Sequence, residues 1–422
     1  MGLAIGDALG APLTGLKPGR IKELYGEVKG YVDSEPAWRN KPYRYRSSGV
    51  YTDDTQQALC LSESLVRCYG FNAEDLAKTF LKLWQADPTL KPGAWRGTGR
   101  NFRKVLAKLA TGIKPKDAGE PSAGIGSAIR VAPIGLYFAD DHEKLIKASI
   151  EQSVLTHKDP RAIALSSAIA FASARAVNRD WDEIKVSARI EDLIEFVLLI
   201  EKQIEQEYIA YLPPRVYDFF HLFFRSVEPF RHWQGMEPEL VYQQIVHLAN
   251  LSFPREKILS PSQNFALSAG ITALFLGLVS RDYESGIKEA LKLGRDSDSL
   301  CAMTGAILGA RFGESAIPAE WRKGLKNYEP IAVRAEAIYQ KSFAGLKIRD
   351  LAKMELELTN FEKAEREQFI RKMITKGEFD PEALRKKKEK AGAQDLIKLK
   401  IKRRGKKEKR KREKTPWRTW EE

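Results

Sequence analysis

The chain has 422 residues, of which 43% are hydrophobic and 30% charged, so it can bury a sizeable core and is not disordered throughout. It carries 70 Lys/Arg against 56 Asp/Glu, but 18 of the basic and only 4 of the acidic residues fall between Arg385 and Arg418, leaving 52 of each sign elsewhere. The basic character belongs to a tail, not to a basic globular body.

Helical signals then follow one another along the chain. Gly2, Gly6 and Gly10 stand four apart, which suits close helix packing and not a dinucleotide fingerprint. Thr52-Asp-Asp-Thr opens an apolar-periodic run that stops at Gly70. Asn72 caps a second helix with Leu76, Phe80 and Leu83 on one face. Asp140-Asp141 precede a third and Asp159-Pro160 a fourth. A long amphipathic segment runs from Asp180 to Tyr211, where Pro213-Pro214 breaks it. Pro261 precedes a helix around Phe265 to Val279, and Pro318 starts another. Ala162 to Ala176 and Ala302 to Ala310 are rich in small residues, which let helix axes approach closely. Strand-like alternation is almost absent, so the predicted fold class is all-α, a multi-helix bundle.

The predicted body spans residues 1–345. An amphipathic helical extension follows at 346–376, with Leu351, Met354, Leu358 and Phe361 as its stripe and docking on the body as its default meaning. A basic tail at 377–422 closes the chain and ends in Trp417 and Trp420. Its charge over residues 385–418 suits a salt-sensitive attachment to nucleic acid or another polyanion; the plain alternative is a solubilising extension. Cys60, Cys68 and Cys301 make no CxxC pair or disulfide framework, which fits a reducing, cytoplasmic setting. The longest uncharged run, Ser262 to Ser280, is diluted by polar residues and reads as a core helix, so no membrane span is expected.

Two acidic clusters, Thr52-Asp53-Asp54-Thr55 and Asp296-Ser297-Asp298-Ser299, each sit at a predicted helix start. Capping explains one carboxylate at such a place. Adjacent carboxylates repel unless a cation lies between them. The five histidines are scattered, with no zinc-like pair at i, i+4. An all-oxygen donor set suits Mg²⁺ or Mn²⁺, and a two-metal site points to hydrolysis or group transfer on an oxygen-rich substrate.

From Gly2 to about Trp321 the chain resembles the ADP-ribosylglycohydrolases. The resemblance rests on Gly6-Asp-Ala-Leu-Gly-Ala-Pro12, Tyr51-Thr-Asp-Asp-Thr55, Gly126-Ser-Ala-Ile-Arg-Val-Ala-Pro-Ile-Gly135 and Leu155-Thr-His-Lys-Asp-Pro160. It continues in Gly294-Arg-Asp-Ser-Asp-Ser299, Gly305-Ala, Gly309-Ala and Ala316-Ile-Pro-Ala-Glu-Trp321. It implies an all-α fold with two Mg²⁺ or Mn²⁺ ions held by Thr52, Asp53, Asp54, Asp296, Asp298 and Ser299. It also implies hydrolysis of the bond between ADP-ribose and an acceptor, on an ADP-ribosylated protein or related conjugate, through an oxocarbenium-like transition state. Asp54 and Asp298 are then the candidate catalytic carboxylates. Gly124, Gly126 and Ser127 would meet the diphosphate, and His157 would line the ligand cleft.

Three positions depart from the family pattern. Thr14 stands where many members carry a glutamate, Gly124-Ile125-Gly126 replaces Gly-Asn-Gly, and Arg295 occupies a usual glycine. Thr14 keeps an alternative open: a weak or inactive ADP-ribose-binding protein tethered by its basic tail. Asp87, after an apolar helix, is a candidate for the missing carboxylate.

Overall fold

The structure, a computed structural model, describes residues 1–385 except 91, 179, 180, 182 and 183. Among these residues the architecture is helical throughout, and an isolated parallel bridge between Glu120 and His157 is the sole β-type pairing. No helix among them is long and apolar enough to cross a membrane. The tail from residue 386 onward lies outside the described residues, as does Asp180 at the predicted start of the long amphipathic segment; its helix spans Val186–Glu207.

The helix starts fall where polar caps were read. Asn72, Asp141 and Asp159 each accept a backbone N–H from the first turn of the helix that follows: Ala73–Trp84, His142–Val154 and Pro160–Val177. The helix predicted around Phe265 to Val279 begins with a π-helical turn, Ala266–Gly270, and continues as Ile271–Val279. Such turns displace the regular ladder and often mark functional sites. This one begins two residues after Asn264.

At the centre lies the helix Ser297–Phe312, packed by the helices Gly2–Gly10, Pro160–Val177, Ile271–Val279 and Tyr283–Lys292. It is buried on nearly all sides, and its small residues admit these neighbours. The glycine helix Gly2–Gly10 comes closest. A Cβ on Gly2, Gly6 or Gly10 would stand 2.2, 2.1 or 2.3 Å from the carbonyl oxygens of Gly305, Cys301 and Ser297. Backbone thus lies on backbone along the whole glycine stripe, and the tip of the glycine helix meets the first turn of the central helix.

The long helix Leu351–Thr375 docks on the body. It buries Leu351, Met354, Leu358, Phe369 and Met373, together with Glu355 and Glu362. Phe361, read as part of the apolar stripe, is instead 40% exposed, and Lys326 Nζ sits over its ring at 5.3 Å. The buried face follows the glutamates, because each finds an arginine inside the interface.

Candidate active site

Both acidic clusters occupy helix N-termini and face one another. Thr52 is the N-cap of helix Asp53–Arg67, its hydroxyl accepting the Asp54 N–H at 3.3 Å. Asp296 is the N-cap residue of helix Ser297–Phe312, but its carboxylate makes no capping bond. Capping therefore accounts for Thr52 and leaves Asp296 without that explanation. Instead Thr14 Oγ1 accepts the Asp298 N–H at 3.2 Å.

Between the clusters lies Asp7 of the glycine helix, fully buried. It accepts the Thr52 N–H at 3.0 Å, the Thr55 N–H at 3.0 Å and the Thr55 hydroxyl at 2.6 Å. Sequence reasoning assigns Asp7 no role. Its signal was present: it is the only charged side chain from Met1 to Leu16.

Burial raises the pKa of all five aspartates, and neighbouring aspartates add to it at Asp7, Asp53, Asp54 and Asp296. Burial, with Asp298 and Asp7 nearby, pushes Asp53 up to about 7. Burial and the Asp298 charge push Asp7 to about 6, against the pull of its hydrogen bonds. Asp54, Asp296 and Asp298 are also raised, first by burial. The Ser299 hydroxyl beside Asp54 and the Asn264 amide beside Asp296 pull the other way. Even so, Oδ2 of Asp54 and Oδ2 of Asp296 are buried with no hydrogen-bond partner. Such a pair of orphaned anionic oxygens is costly unless something positive satisfies it.

Arg130 joins this cluster to the glycine loop. It is fully buried and places its guanidinium against Gln57 Oε1 (2.7 Å), Gly126 O (2.9 Å), Thr156 Oγ1 (2.7 Å) and two oxygens of Gln152. Gln57 in turn donates to Asp53 Oδ2 at 2.9 Å. Among the described residues no carboxylate pairs with Arg130 directly, and burial lowers its pKa to about 9. It too went unassigned, although it is the only charged residue between Glu120 and Asp140.

Gly124 and Gly126 lie against His157: a Cβ on Gly126 would stand 3.0 Å from the ring's Cε1. His157 Nδ1 lies 2.8 Å from Thr156 Oγ1, and burial with the Arg130 charge lowers its pKa to about 3, so the ring is neutral at physiological pH. Ser127 is fully buried beneath the loop and accepts a hydrogen bond from Ser153 at 2.8 Å. From Gly124 and Asn264 a cleft of about 430 Å³ runs past Phe219 and Phe253 to Arg161 and Arg215. The two phenylalanine rings are near parallel, 6.3 Å apart, and Phe253 is 65% exposed.

The departure at Arg295 has a structural setting. Arg295 adopts φ +59°, the left-handed region where glycine is least strained. Its backbone is held there by Leu16 O at 2.8 Å and by the Gly15 N–H. Asp87 does not join the cluster; its carboxylate accepts the N–H and hydroxyl of Thr89 in its own turn. Among the described residues, no three carboxylate, imidazole or thiol groups close into a cage around a single point.

The sequence profile of the ADP-ribosylglycohydrolases matches residues 1–346. Among curated relatives, the ADP-ribosylhydrolase ARH3 of Gallus gallus is 26% identical, with 80% of this chain and 91% of that protein covered. The ADP-ribosylarginine hydrolase Tri1 of Serratia proteamaculans is 25% identical, with 80% and 77% covered. A solved structure described as an ADP-ribosylglycohydrolase-related protein complex aligns with a TM-score of 0.53 and 27% identity, over 81% of this chain and 95% of that one. With its motifs in order on an all-α frame, the chain belongs to the ADP-ribosylglycohydrolase family of glycosidic-bond hydrolases.

Proposed function

We propose that the protein is a divalent-metal-dependent hydrolase that releases ADP-ribose from an acceptor, and that its metal ligands are Thr52, Asp53, Asp54, Asp296, Asp298 and Ser299. The observation that carries this reading is the pair of partnerless buried oxygens, Asp54 Oδ2 and Asp296 Oδ2, inside a five-aspartate cluster. The donors are all oxygen, which fits Mg²⁺ or Mn²⁺. The count of two ions rests on this donor inventory and on the family. When bound, such ions supply Lewis acidity toward ribose hydroxyls and water.

The chain's own residues then have separable tasks. Gly124 and Gly126 carry no Cβ, so a diphosphate can approach their backbone beside a neutral His157. Phe253 offers an exposed aromatic face at the cleft rim for a base, and Arg215 offers positive charge, whereas the Arg161 guanidinium is paired with Asp159 and stacked on Phe219. At the cluster, water attacks the anomeric carbon while the bond to the acceptor breaks, its electron pair leaving with the acceptor atom. Asp54 and Asp298 stabilise the cationic sugar, and one of their oxygens takes the proton from water. Thr14 cannot take a proton in this way, so this reading assigns the base to these aspartates. Thr14 is also the observation that favours the second reading, ADP-ribose binding with slow turnover.

The test is release of ADP-ribose from arginine-, serine- and nucleic-acid-linked substrates, with Mg²⁺ or Mn²⁺ and with chelator. Metal-dependent release, lost in Asp53→Ala and Asp298→Ala proteins that still melt cooperatively, is the expected result. Undiminished release by both variants overturns the assignment. Tight ADP-ribose binding without release establishes the second reading.

A further inference from the structure

We propose that Glu362, on the helix beyond the family-matched region, is a positioning residue of the carboxylate centre: it holds Arg46 and keeps that cation from neutralising Asp53 and Asp298. The inference rests on the metal-centre reading above. Arg46 lies at the edge of the cluster. A Cβ on Gly97 would stand 2.7 Å from Arg46 Nη2 and 3.3 Å from Asp53 Oδ1, so both side chains flank that glycine. A guanidinium so placed competes with any divalent cation for the same carboxylates.

Glu362 answers that competition. It is 2% exposed, and both its oxygens accept from Arg46 Nη1, at 3.2 and 3.1 Å. Arg366 adds a second cation at 2.7 Å, which keeps the glutamate ionised inside the interface. The Arg46 backbone is also fixed, because its N–H donates to Ser34 Oγ and its carbonyl accepts from the same hydroxyl. Two helical turns earlier, Glu355 accepts from Tyr51 (2.6 Å), Gln56 (2.8 Å) and Arg96 (2.7 Å). Tyr51 and Gln56 bracket the first acidic cluster. One helix face therefore does two things: Glu355 clamps the segment that bears Thr52, Asp53 and Asp54, and Glu362 occupies the cation beside it.

The test is Mn²⁺ affinity of the full chain by calorimetry, for wild type, Glu362→Gln, Arg46→Gln and the double variant, with thermal melting alongside. Glu362→Gln keeps the shape and removes the charge, leaving Arg46 free to pair with the cluster. Its Mn²⁺ affinity should fall about tenfold, the scale of one uncompensated charge near the centre. The double variant should return to within about threefold of wild type, since the competing cation is gone. Arg46→Gln alone should bind at least as tightly as wild type. An unchanged affinity in Glu362→Gln, a loss that persists in the double variant, or weaker binding by Arg46→Gln overturns the inference. Absence of Mn²⁺ binding by the wild type overturns the metal-centre reading itself.

Discussion

Thr14 Oγ1 and the backbone N–H of Asp298 are 284 residues apart in sequence and 3.2 Å apart in space. The position at which many members of the family carry a glutamate has become a remote cap for the central helix. The same hydroxyl lies 3.3 Å from Ser297 Oγ and 3.3 Å from Gly10 O. Thr14→Ala should therefore cost about 1 kcal/mol, the usual worth of a cap. Urea unfolding measures it, and a change under about 0.3 kcal/mol would show that the cap carries no stability.

Arg130 predicts a split between stability and affinity. It ties Gln57, beneath Asp53, to Gly126 in the glycine loop. Arg130→Met leaves several buried acceptors unpaired and should cost about 3 kcal/mol or more. Arg130→Lys keeps a charge but has fewer donors and no planar fork. It should fold, yet bind ADP-ribose about tenfold more weakly, because the loop is no longer held to the cluster. Calorimetry on the lysine variant decides, and wild-type affinity would refute the link.

Gly6→Ala should prevent stable folding. The new methyl would lie 2.1 Å from the Cys301 carbonyl oxygen and 2.7 Å from its carbon, both backbone atoms. The helices can only separate, which costs about 3 kcal/mol or more and disturbs Asp7 next door. Gly19→Ala, with nothing within 4 Å, is the control and should be neutral or slightly stabilising. Melting temperatures of the two proteins make the comparison.

Glu201 gives a pH dependence away from the site. Burial pushes its pKa from an ordinary 4.5 to about 7, although its carboxylate accepts the N–H groups of Phe223 and Phe224. Glu205 raises it further, and His221 Nδ1 stands 3.9 Å away. A carboxyl raised in the folded state favours folding below pH 4.5, and that stabilisation is lost as pH rises through about 7. Relative to wild type, Glu201→Gln should thus gain about 1–2 kcal/mol between pH 5 and pH 8. Paired denaturation curves at the two pH values test the sign.

Much of this arrangement was legible because its causes are local. Asn72, Asp141 and Asp159 announce helix starts by satisfying N–H groups a few residues on. Doubled aspartates at two such starts exceed what capping needs. Glycines at 2, 6 and 10 share one helix face whatever they pack against. The stripe of the long helix Leu351–Thr375 was only half legible. Phe361 looks apolar and is exposed, whereas Glu355 and Glu362 look polar and are buried.

The sequence by itself determined an all-helical body, the paired acidic helix starts and a basic tail, since periodicity, capping and charge density are properties of neighbouring residues. Only the tertiary structure decided that Asp7 stands between the two clusters and that Arg130 joins them to the glycine loop. It alone put Thr14 on Asp298 and drew Arg46 to Glu362, 316 residues away. A buried charge is tolerated only where opposite charges or donors surround it, and which residues do so depends on how the helices pack.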